Sequence, residues 1–295
     1  MNHTGWNPQD EERDYAEYSG LCKSGLLSGH VYEWNDVKSQ IITEANNNFT
    51  TPIDRAVAGL HLLGKSAYKE YYFSRQETND CTSWGTCNGF DLTQVGQAYR
   101  GIETECFRTF KPWVYGVGKS LAGQHSDNGM SISLAMKHIT QHGMLPEDLP
   151  GLPRYSGALQ KQLLRARDGK AFFDKWKDQA IQYDVDVVRL PLDYEVWLLW
   201  AASGRNIVYG TTQRIANRNG EWVLNGSTRH AMTAGWPVRP DGAISNTNSW
   251  NDGTGFMKPD IAKKVIAGSH PFGAFGIFNI TRRNSTPDYS GLGRN

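Results

Sequence analysis

The sequence predicts an α+β chain in which a helical part precedes a mostly β part. Up to about residue 182, apolar residues recur at helical spacing, as Ile132, Ala135, Met136 and Ile139 do. Beyond residue 183 the chain changes to short β-rich runs separated by Gly, Pro, Asn and Asp. The 295 residues are enough for one large domain or two small ones.

The predicted elements follow from apolar spacing and from capping and stop residues. Ser131 is a capping residue and Gly143 a stop signal for the helix between them. The predicted helices cover residues 36–45, 51–63, 81–99, 112–121, 131–142, 157–182 and 193–202. The predicted strands cover residues 184–190, 206–212, 229–238, 242–250, 255–258 and 273–281.

Charge and composition exclude several functional classes. Lys and Arg number 31 and Asp and Glu 30, so the net charge is +1. The chain therefore has no strong positive field that would favour binding of nucleic acid or an anionic membrane. The N-terminus lacks the basic and apolar regions of a signal peptide, and no apolar run is long enough to span a membrane. We therefore expect a soluble chain that is intracellular or delivered by a route other than secretion.

The cysteine and histidine spacings favour neither a disulfide framework nor a metal site. The chain has only four cysteines, none in a C-x-x-C pair. His138 and His142 are four residues apart on a predicted helix, but no H-E-x-x-H motif is present. We expect these two residues to lie on a solvated helix face, and we expect no metal or cofactor.

Cys81 stands at the predicted start of a helix. The unpaired amides of a helix N-terminus favour an anion and lower the pKa of a thiol there. Asn79 and Asp80 are residue types that begin helices. Gln76 precedes Cys81 by five residues in a loop, where its side-chain amide and the Cys81 backbone amide form a candidate oxyanion site.

His230 and Asn248 complete a candidate catalytic site. A thiol nucleophile needs an adjacent base and a group that orients the base. An Asn carbonyl oxygen that accepts from one imidazole nitrogen fixes the tautomer and leaves the other nitrogen for the thiol. Because the two residues start and end neighbouring predicted strands, hairpin pairing would bring them side by side, with Trp250 shielding their hydrogen bond from water.

These residues resemble the papain-like cysteine peptidases in order and spacing. His230 follows Cys81 by 149 residues, and Asn248 follows His230 by 18. The segments that carry the resemblance are HAM and NSW at the His and Asn positions, DNGMSISLAMKHITQHGMLPED, and GTGFMKP followed by FGIFNI. The resemblance covers about residues 70–281, and QETNDCTSWG looks most like phage-encoded members.

The resemblance implies a papain-like fold with a helical left half, a β-rich right half and the active cleft between them. It implies thiol-dependent peptide-bond hydrolysis by Cys81, His230, Asn248 and Gln76, acting on a peptide or protein substrate without a cofactor. Two departures stand out: Gln76 is five residues before the cysteine where typical members have six, and Thr82 replaces the usual aromatic residue.

A rival nucleophile is Cys87, whose surroundings GTCNGF resemble the family's GSCWAF. In that register Cys81 would take the oxyanion position, where a thiol donates a hydrogen bond poorly. Cys81 is therefore the favoured nucleophile. On a helix that starts at residue 81, Cys87 would lie almost two turns along and face the core.

Two other functions stay open: an inactive papain-like structural or docking protein, as in a virion, and a thiol amidase acting on cell-wall peptides. We divide the chain into an N-terminal extension (1–65), a papain-like domain (66–282) and a flexible tail (283–295). The extension is an inhibitory pro-segment or an arm for an assembly partner. We expect a cytoplasmic or virion-associated location and no nucleic-acid partner.

Overall fold

The computed structural model describes residues 5–23, 29–48, 75–102, 105–250 and 253–282, and it confirms the α+β class. The predicted helix 51–63 and the predicted tail 283–295 lie outside the described residues. One seven-stranded sheet forms the centre of the described part, and helices pack on both of its faces.

The strands pair in the order β1-β2-β7-β3-β4-β5-β6. The sheet is antiparallel except for the parallel pair β1–β2 and one parallel contact between β4 and β6. The strand bounds are β1 Val31–Glu33, β2 Tyr183–Arg189, β3 Asn206–Arg218, β4 Glu221–Val238, β5 Ile244–Asn248, β6 Gly253–Met257 and β7 Ser269–Arg282.

The helix predicted over 81–99 is found with those bounds. The helix predicted over 131–142 begins at Ile132, and Ser131 caps it because its Oγ accepts from the backbone N–H of Leu134. In the described ranges, none of the helices is long and apolar enough to cross a membrane. The helix bounds are α1 Glu11–Lys23, α2 Trp34–Asn48, α3 Cys81–Tyr99, α4 Gly118–Leu121 after a π-helical turn Trp113–Val117, α5 Ile132–His142, α6 Gly157–Leu163, α7 Ala166–Ala180, α8 Tyr194–Ala202 and α9 Pro259–Ala267.

Several elements differ from the sequence-based expectation. The single predicted helix 157–182 is divided into α6 and α7, because Arg165 has an extended conformation between them. Strands β3 and β4 form a longer hairpin than predicted, closed by Asn219 and Gly220, which both have positive φ as in a tight hairpin turn. The elements α1, β1 and α9 were not predicted, since their sequences are polar or short.

The two faces of the sheet carry separate cores. On β3, Val208 belongs to the core that includes α3 and α5, whereas Ile207 and Tyr209 belong to the core that includes α2, α8 and α9. This division follows from the two-residue period of a strand, which sends neighbouring side chains to opposite faces. The two long strands are buried where they face both cores, over residues 206–211 of β3 and 230–236 of β4.

Helix α3 packs closely on the sheet because glycines form part of its contact face. A Cβ atom at Gly89 would lie 2.7 Å from Cγ2 of Val208, and one at Gly96 would lie 1.9 Å from the carbonyl oxygen of Gly204. Side-chain atoms at these positions would separate the two elements. The glycines therefore fix the distance between the first residue of α3, Cys81, and the strands.

The N-terminal part of the chain packs against the rest of the described structure. Glu44 of α2 pairs with Arg205, which is 1% exposed, and with Arg100 at 2.9 Å. Breaking a buried ion pair leaves an uncompensated charge, so α2 is firmly attached. The division of the chain at residues 65 and 66 stays a prediction.

We expect Gly96→Ala to destabilise the fold by about 1–3 kcal/mol, because the new methyl group overlaps main-chain atoms that cannot move freely. Gly20→Ala is the matched control, since Gly20 is exposed in α1 and a Cβ there meets nothing within 4 Å. The control should be neutral or stabilised by up to about 1 kcal/mol. Urea unfolding measures both changes, and equal stability of the two variants would contradict the packing argument.

Candidate active site

Cys81 is the first residue of α3, and its side chain is 0% exposed. The backbone N–H of Ala231, the residue after His230, donates to its Sγ at 3.3 Å. The thiol thus lies at a helix N-terminus, where main-chain amides point at it. The structure brings together Cys81 and the strand that carries His230.

The start of α3 is held against β4 by direct contacts. The Oγ1 of Thr233 donates to the carbonyl oxygen of Gly85 at 2.6 Å. A Cβ atom at Gly85 would lie 3.2 Å from the carbonyl oxygen of Met232, so only a small residue permits this approach. These contacts hold α3 and β4 in register one turn after the thiol.

His230 and Asn248 meet as the sequence predicts. They lie on the antiparallel strands β4 and β5, and Nε2 of His230 is 2.7 Å from Oδ1 of Asn248. Because the amide oxygen can only accept, Nε2 carries the proton and Nδ1 is left as the basic nitrogen. Within the described residues, Nδ1 is buried without a hydrogen-bond partner.

Trp250 covers the imidazole. Its ring stacks on His230 with centroids 3.8 Å apart and planes inclined by 24°. His230 is 0% exposed and Asn248 1% exposed, so their hydrogen bond lies away from bulk water. A hydrogen bond in such a low-dielectric site is stronger than one in water and holds the ring orientation.

Burial keeps both the thiol and the imidazole neutral. Desolvation raises the pKa of Cys81 to about 12, which the hydrogen bond from Ala231 only partly opposes. Desolvation lowers the pKa of His230 to about 3, although the Asn248 hydrogen bond favours the charged ring. Both shifts have the direction expected for groups removed from water.

Gln76 is held beside Ser249, which follows Asn248 at the end of β5. Its Oε1 accepts from Oγ of Ser249 at 2.7 Å, and its backbone N–H donates to the Ser249 carbonyl oxygen at 2.9 Å. Its Nε2 donates to the carbonyl oxygen of Thr78 at 2.9 Å. Gln76 therefore connects the loop before Cys81 to the segment after Asn248, and one Nε2 hydrogen is used within its own loop.

Asp80 is buried next to the thiol without capping α3 through its side chain, in contrast to our expectation. Its Oδ2 instead accepts from the hydroxyl of Tyr155 at 3.0 Å and from Nε2 of Gln160 at 2.7 Å. Burial raises its pKa to about 6 despite these donors. An ionised Asp80 opposes the Cys81 thiolate, so this carboxyl group helps keep the thiol neutral.

The other sequence candidates lie in different surroundings. Cys87 is buried in the core, where its charged neighbours are Lys111 and Asp91 and burial raises its pKa to about 12. His138 is buried against Trp113 instead of lying on a solvated face. In the described ranges, no three His, Cys, Asp or Glu side chains converge in the manner of a metal site.

Three residues at the site were not singled out from the sequence: Ser249, which holds Gln76, and Gly5 and Met130, which lie against Thr82. The Thr82 hydroxyl is 2.8 Å from the carbonyl oxygen of Met130 and 3.3 Å from that of Gly5. The only signal for Gly5 was the Gly-Trp pair in an otherwise polar N-terminus. Nothing in the local pattern links it to a cysteine 76 residues away.

No protein-family model and no curated protein sequence matches this chain. Solved structures do show similarity. Xylellain, a cysteine protease from Xylella fastidiosa, is 17% identical, with a TM-score of 0.46 over 72% of this chain and 83% of its own. The clostridial cysteine protease Cwp84 is 14% identical, with a TM-score of 0.47 over 75% of this chain and 58% of its own.

Procathepsin B of Trypanosoma congolense is 8% identical, with a TM-score of 0.42 over 76% of this chain and 74% of its own. Since all three TM-scores are below 0.5, these similarities establish no correspondence between individual residues.

We expect alkylation of Cys81 by iodoacetamide to accelerate about tenfold per pH unit between about pH 7 and pH 10, because the thiolate is the reactive form and the thiol pKa is about 12. Mass spectrometry of the Cys81 peptide gives the rate. Cys106, which is only partly buried, is the reference thiol in the same chain. A rate that is already constant between pH 6 and pH 8 would contradict a neutral, buried thiol.

Proposed function

We propose that this protein is a cysteine peptidase in which Cys81 is the nucleophile, His230 the general base and acid, and Asn248 the residue that orients the imidazole. The observation that carries the proposal is the arrangement of His230. Its Nε2 is held by Asn248, its Nδ1 is buried without a partner among the described residues, and the next residue donates to the Cys81 thiol.

The first step in this proposal is acylation. Nδ1 of His230 takes the proton from Sγ of Cys81 while the sulfur attacks the peptide carbonyl carbon. Proton transfer coupled to attack suits a neutral thiol and a neutral imidazole, since neither group has to hold a charge before the substrate arrives. His230 then donates this proton to the leaving amine as the C–N bond breaks.

The second step is hydrolysis of the thioester. His230 takes a proton from water, the hydroxide adds to the acyl carbon, and the thiolate leaves and regains the proton. In both steps the negative oxygen is assigned to the backbone amide of Cys81 at the start of α3 and to Nε2 of Gln76. Because Nε2 has two hydrogens and Thr78 takes one, the second is the one assigned to the oxyanion.

The substrate class that follows is a peptide or protein amide bond, and the chemistry needs no group beyond these side chains. The same thiol–imidazole set serves for the amide bonds of cell-wall peptides, which are a second candidate substrate class. The side-chain preference depends on the surroundings of the cleft rather than on these four residues.

A second candidate function is that of a non-catalytic docking protein, as in a virion. The observation that favours it is the complete burial of Cys81 together with its raised pKa. A buried neutral thiol is inert toward electrophiles, as a core cysteine is. The two candidates differ in whether any condition makes Cys81 reactive toward a peptide.

We expect Cys81→Ser and His230→Ala to abolish cleavage of casein, because they remove the nucleophile and the base. Asn248→Ala should lower kcat/KM about 10²-fold, since Nε2 of His230 then has no acceptor and the ring can turn or exchange tautomers. Fluorescent casein and a set of purified cell-wall peptides serve as parallel substrates, and a thiol-directed epoxide reports acylation independently of turnover.

Cys106→Ser is the matched control, because Cys106 is a free and more exposed thiol. It should leave cleavage and epoxide labelling unchanged. If Cys81→Ser cleaves as fast as the unmodified sequence, Cys81 is not the nucleophile. If folded Asn248→Ala and His230→Ala retain full activity, the assigned roles of these residues are wrong.

A further inference from the structure

Arg214 lies against the indole that covers the imidazole of His230. Its guanidinium carbon is 5.9 Å from the centroid of the Trp250 ring, and the same ring stacks on His230 at 3.8 Å. The π-electrons of a tryptophan ring attract a guanidinium at this distance, so Trp250 helps hold the cation in place. The Trp250 ring therefore contacts both the proposed base and a positive charge.

Arg75 brings a second cation to the same indole. It forms an antiparallel bridge with Trp250, and the next residue, Gln76, donates its backbone N–H to the carbonyl oxygen of Ser249 at 2.9 Å. Residues directly opposite each other in an antiparallel pair carry their side chains on the same face. Because Arg75 is exposed and Trp250 half-buried, the two side chains form part of the protein surface beside the candidate site.

No carboxylate of the described residues neutralises these two arginines. The acidic residues nearest to them along the described chain are engaged elsewhere. Glu77 accepts from a backbone N–H at the start of α6 at 2.7 Å, and Glu221 pairs with two other cations at 3.1 and 2.7 Å. Since arginine is always protonated in proteins, two positive charges without a partner in the described ranges flank Trp250.

The proposed chemistry determines which part of a substrate meets these cations. His230 donates a proton to the leaving amine, so the residue that departs with this amine has to lie next to the imidazole. Trp250 and the guanidinium of Arg214 come directly after the imidazole in the stack. The residues on the C-terminal side of the cleaved bond are therefore the ones that reach the two arginines.

A glutamate or aspartate side chain fits this surface in both of its parts. Its carboxylate matches the planar fork of guanidinium N–H donors and makes two parallel hydrogen bonds with it. Its methylene carbon atoms pack on the half-buried indole of Trp250. A lysine or arginine at the same position meets like charges, which discriminates against it. The chemistry of the surface thus favours an acidic side chain over an amide of the same size.

We propose that Arg214, together with Arg75, is a specificity-determining residue that selects peptides with an acidic residue on the C-terminal side of the cleaved bond. The two cations beside Trp250 stand on the contacts above, whereas their role in cleavage rests on the proposed function. Because the net charge of the whole chain is only +1, the preference has a local source in these two side chains.

Matched peptides built around one casein cleavage site, mapped by mass spectrometry, test this preference. The two residues after the cleaved bond are Glu in one peptide and Gln in the other. We expect kcat/KM to be about tenfold higher for the Glu peptide, because only its carboxylate pairs with the guanidinium. Arg214→Gln should bring the Glu/Gln ratio of kcat/KM to about 1. Added NaCl should lower the ratio for the unmodified sequence, since salt screens exposed charges.

Arg218→Gln is the matched control, because Arg218 is an exposed arginine on the same strand, β3, and its loss changes the charge equally. It should leave the ratio unchanged. A purely structural role of Arg214 in holding Trp250 would lower kcat/KM for both peptides alike and leave the ratio high. Should Arg214→Gln not fold, Arg75→Gln at an exposed position is the second variant and should also lower the ratio.

Three results overturn the proposal. The first is equal cleavage of both peptides by the unmodified sequence. The second is a Glu/Gln ratio that is retained in folded Arg214→Gln, or in Arg75→Gln where that variant replaces it. The third is an equal fall of the ratio in Arg214→Gln and Arg218→Gln, which would assign the effect to the overall charge of the hairpin.

Binding of fluorescein-labelled acidic and amide peptides to the Cys81→Ser protein, measured by fluorescence anisotropy, separates this proposal from the proposed function. Four Glu residues in one peptide are replaced by Gln in the other. Tighter binding of the Glu peptide that Arg214→Gln weakens, without cleavage of any peptide by the unmodified sequence, retains the arginine site and contradicts the peptidase. Cleavage without any Glu preference retains the peptidase and contradicts the arginine site. Equal binding of both peptides without any cleavage contradicts both.

Discussion

The close approach of α3 to the sheet is the constraint on which the rest of the site depends. Gly85, Gly89 and Gly96 present backbone instead of side chains to β3, β4 and the turn at Gly204. Because the helix cannot move away or rotate without leaving a cavity, the position of its first residue is determined by packing along its whole length. The thiol of Cys81 consequently lies beside the backbone of the strand that carries His230.

This packing also produces a dry site, which determines its chemistry. Burial favours the neutral forms of Cys81 and His230, and the Asn248 oxygen selects the tautomer that leaves Nδ1 free to accept a proton. Part of the polar surroundings is satisfied by hydrogen bonds between side chains and main chain, as between Gln76 and Ser249. These buried hydrogen bonds fix the loop before the thiol.

Polar segments in the N-terminal part of the chain contribute side chains to the interior of the structure. Glu11 and Glu44 lie in segments that read as solvated, yet both carboxylates are partners of groups in the interior. Glu11 joins the indole of Trp6 to the start of α5, and Glu44 joins α2 to Arg205, the residue just before β3. Each carboxylate substitutes for water at donors that would otherwise be buried without an acceptor.

The sequence by itself determined the fold class, the helix 81–99 and the pair His230–Asn248, because helical periodicity, strand alternation and capping are properties of neighbouring residues. Only the tertiary structure places Cys81, which the sequence already favoured, against the backbone of the residue after His230, because that contact joins residues 150 positions apart. The same holds for Asp80, whose capping role was predicted from its type but is replaced by Tyr155 and Gln160. Most of all it holds for Gly5, because a contact across 76 residues depends on chain topology, about which local composition carries no information.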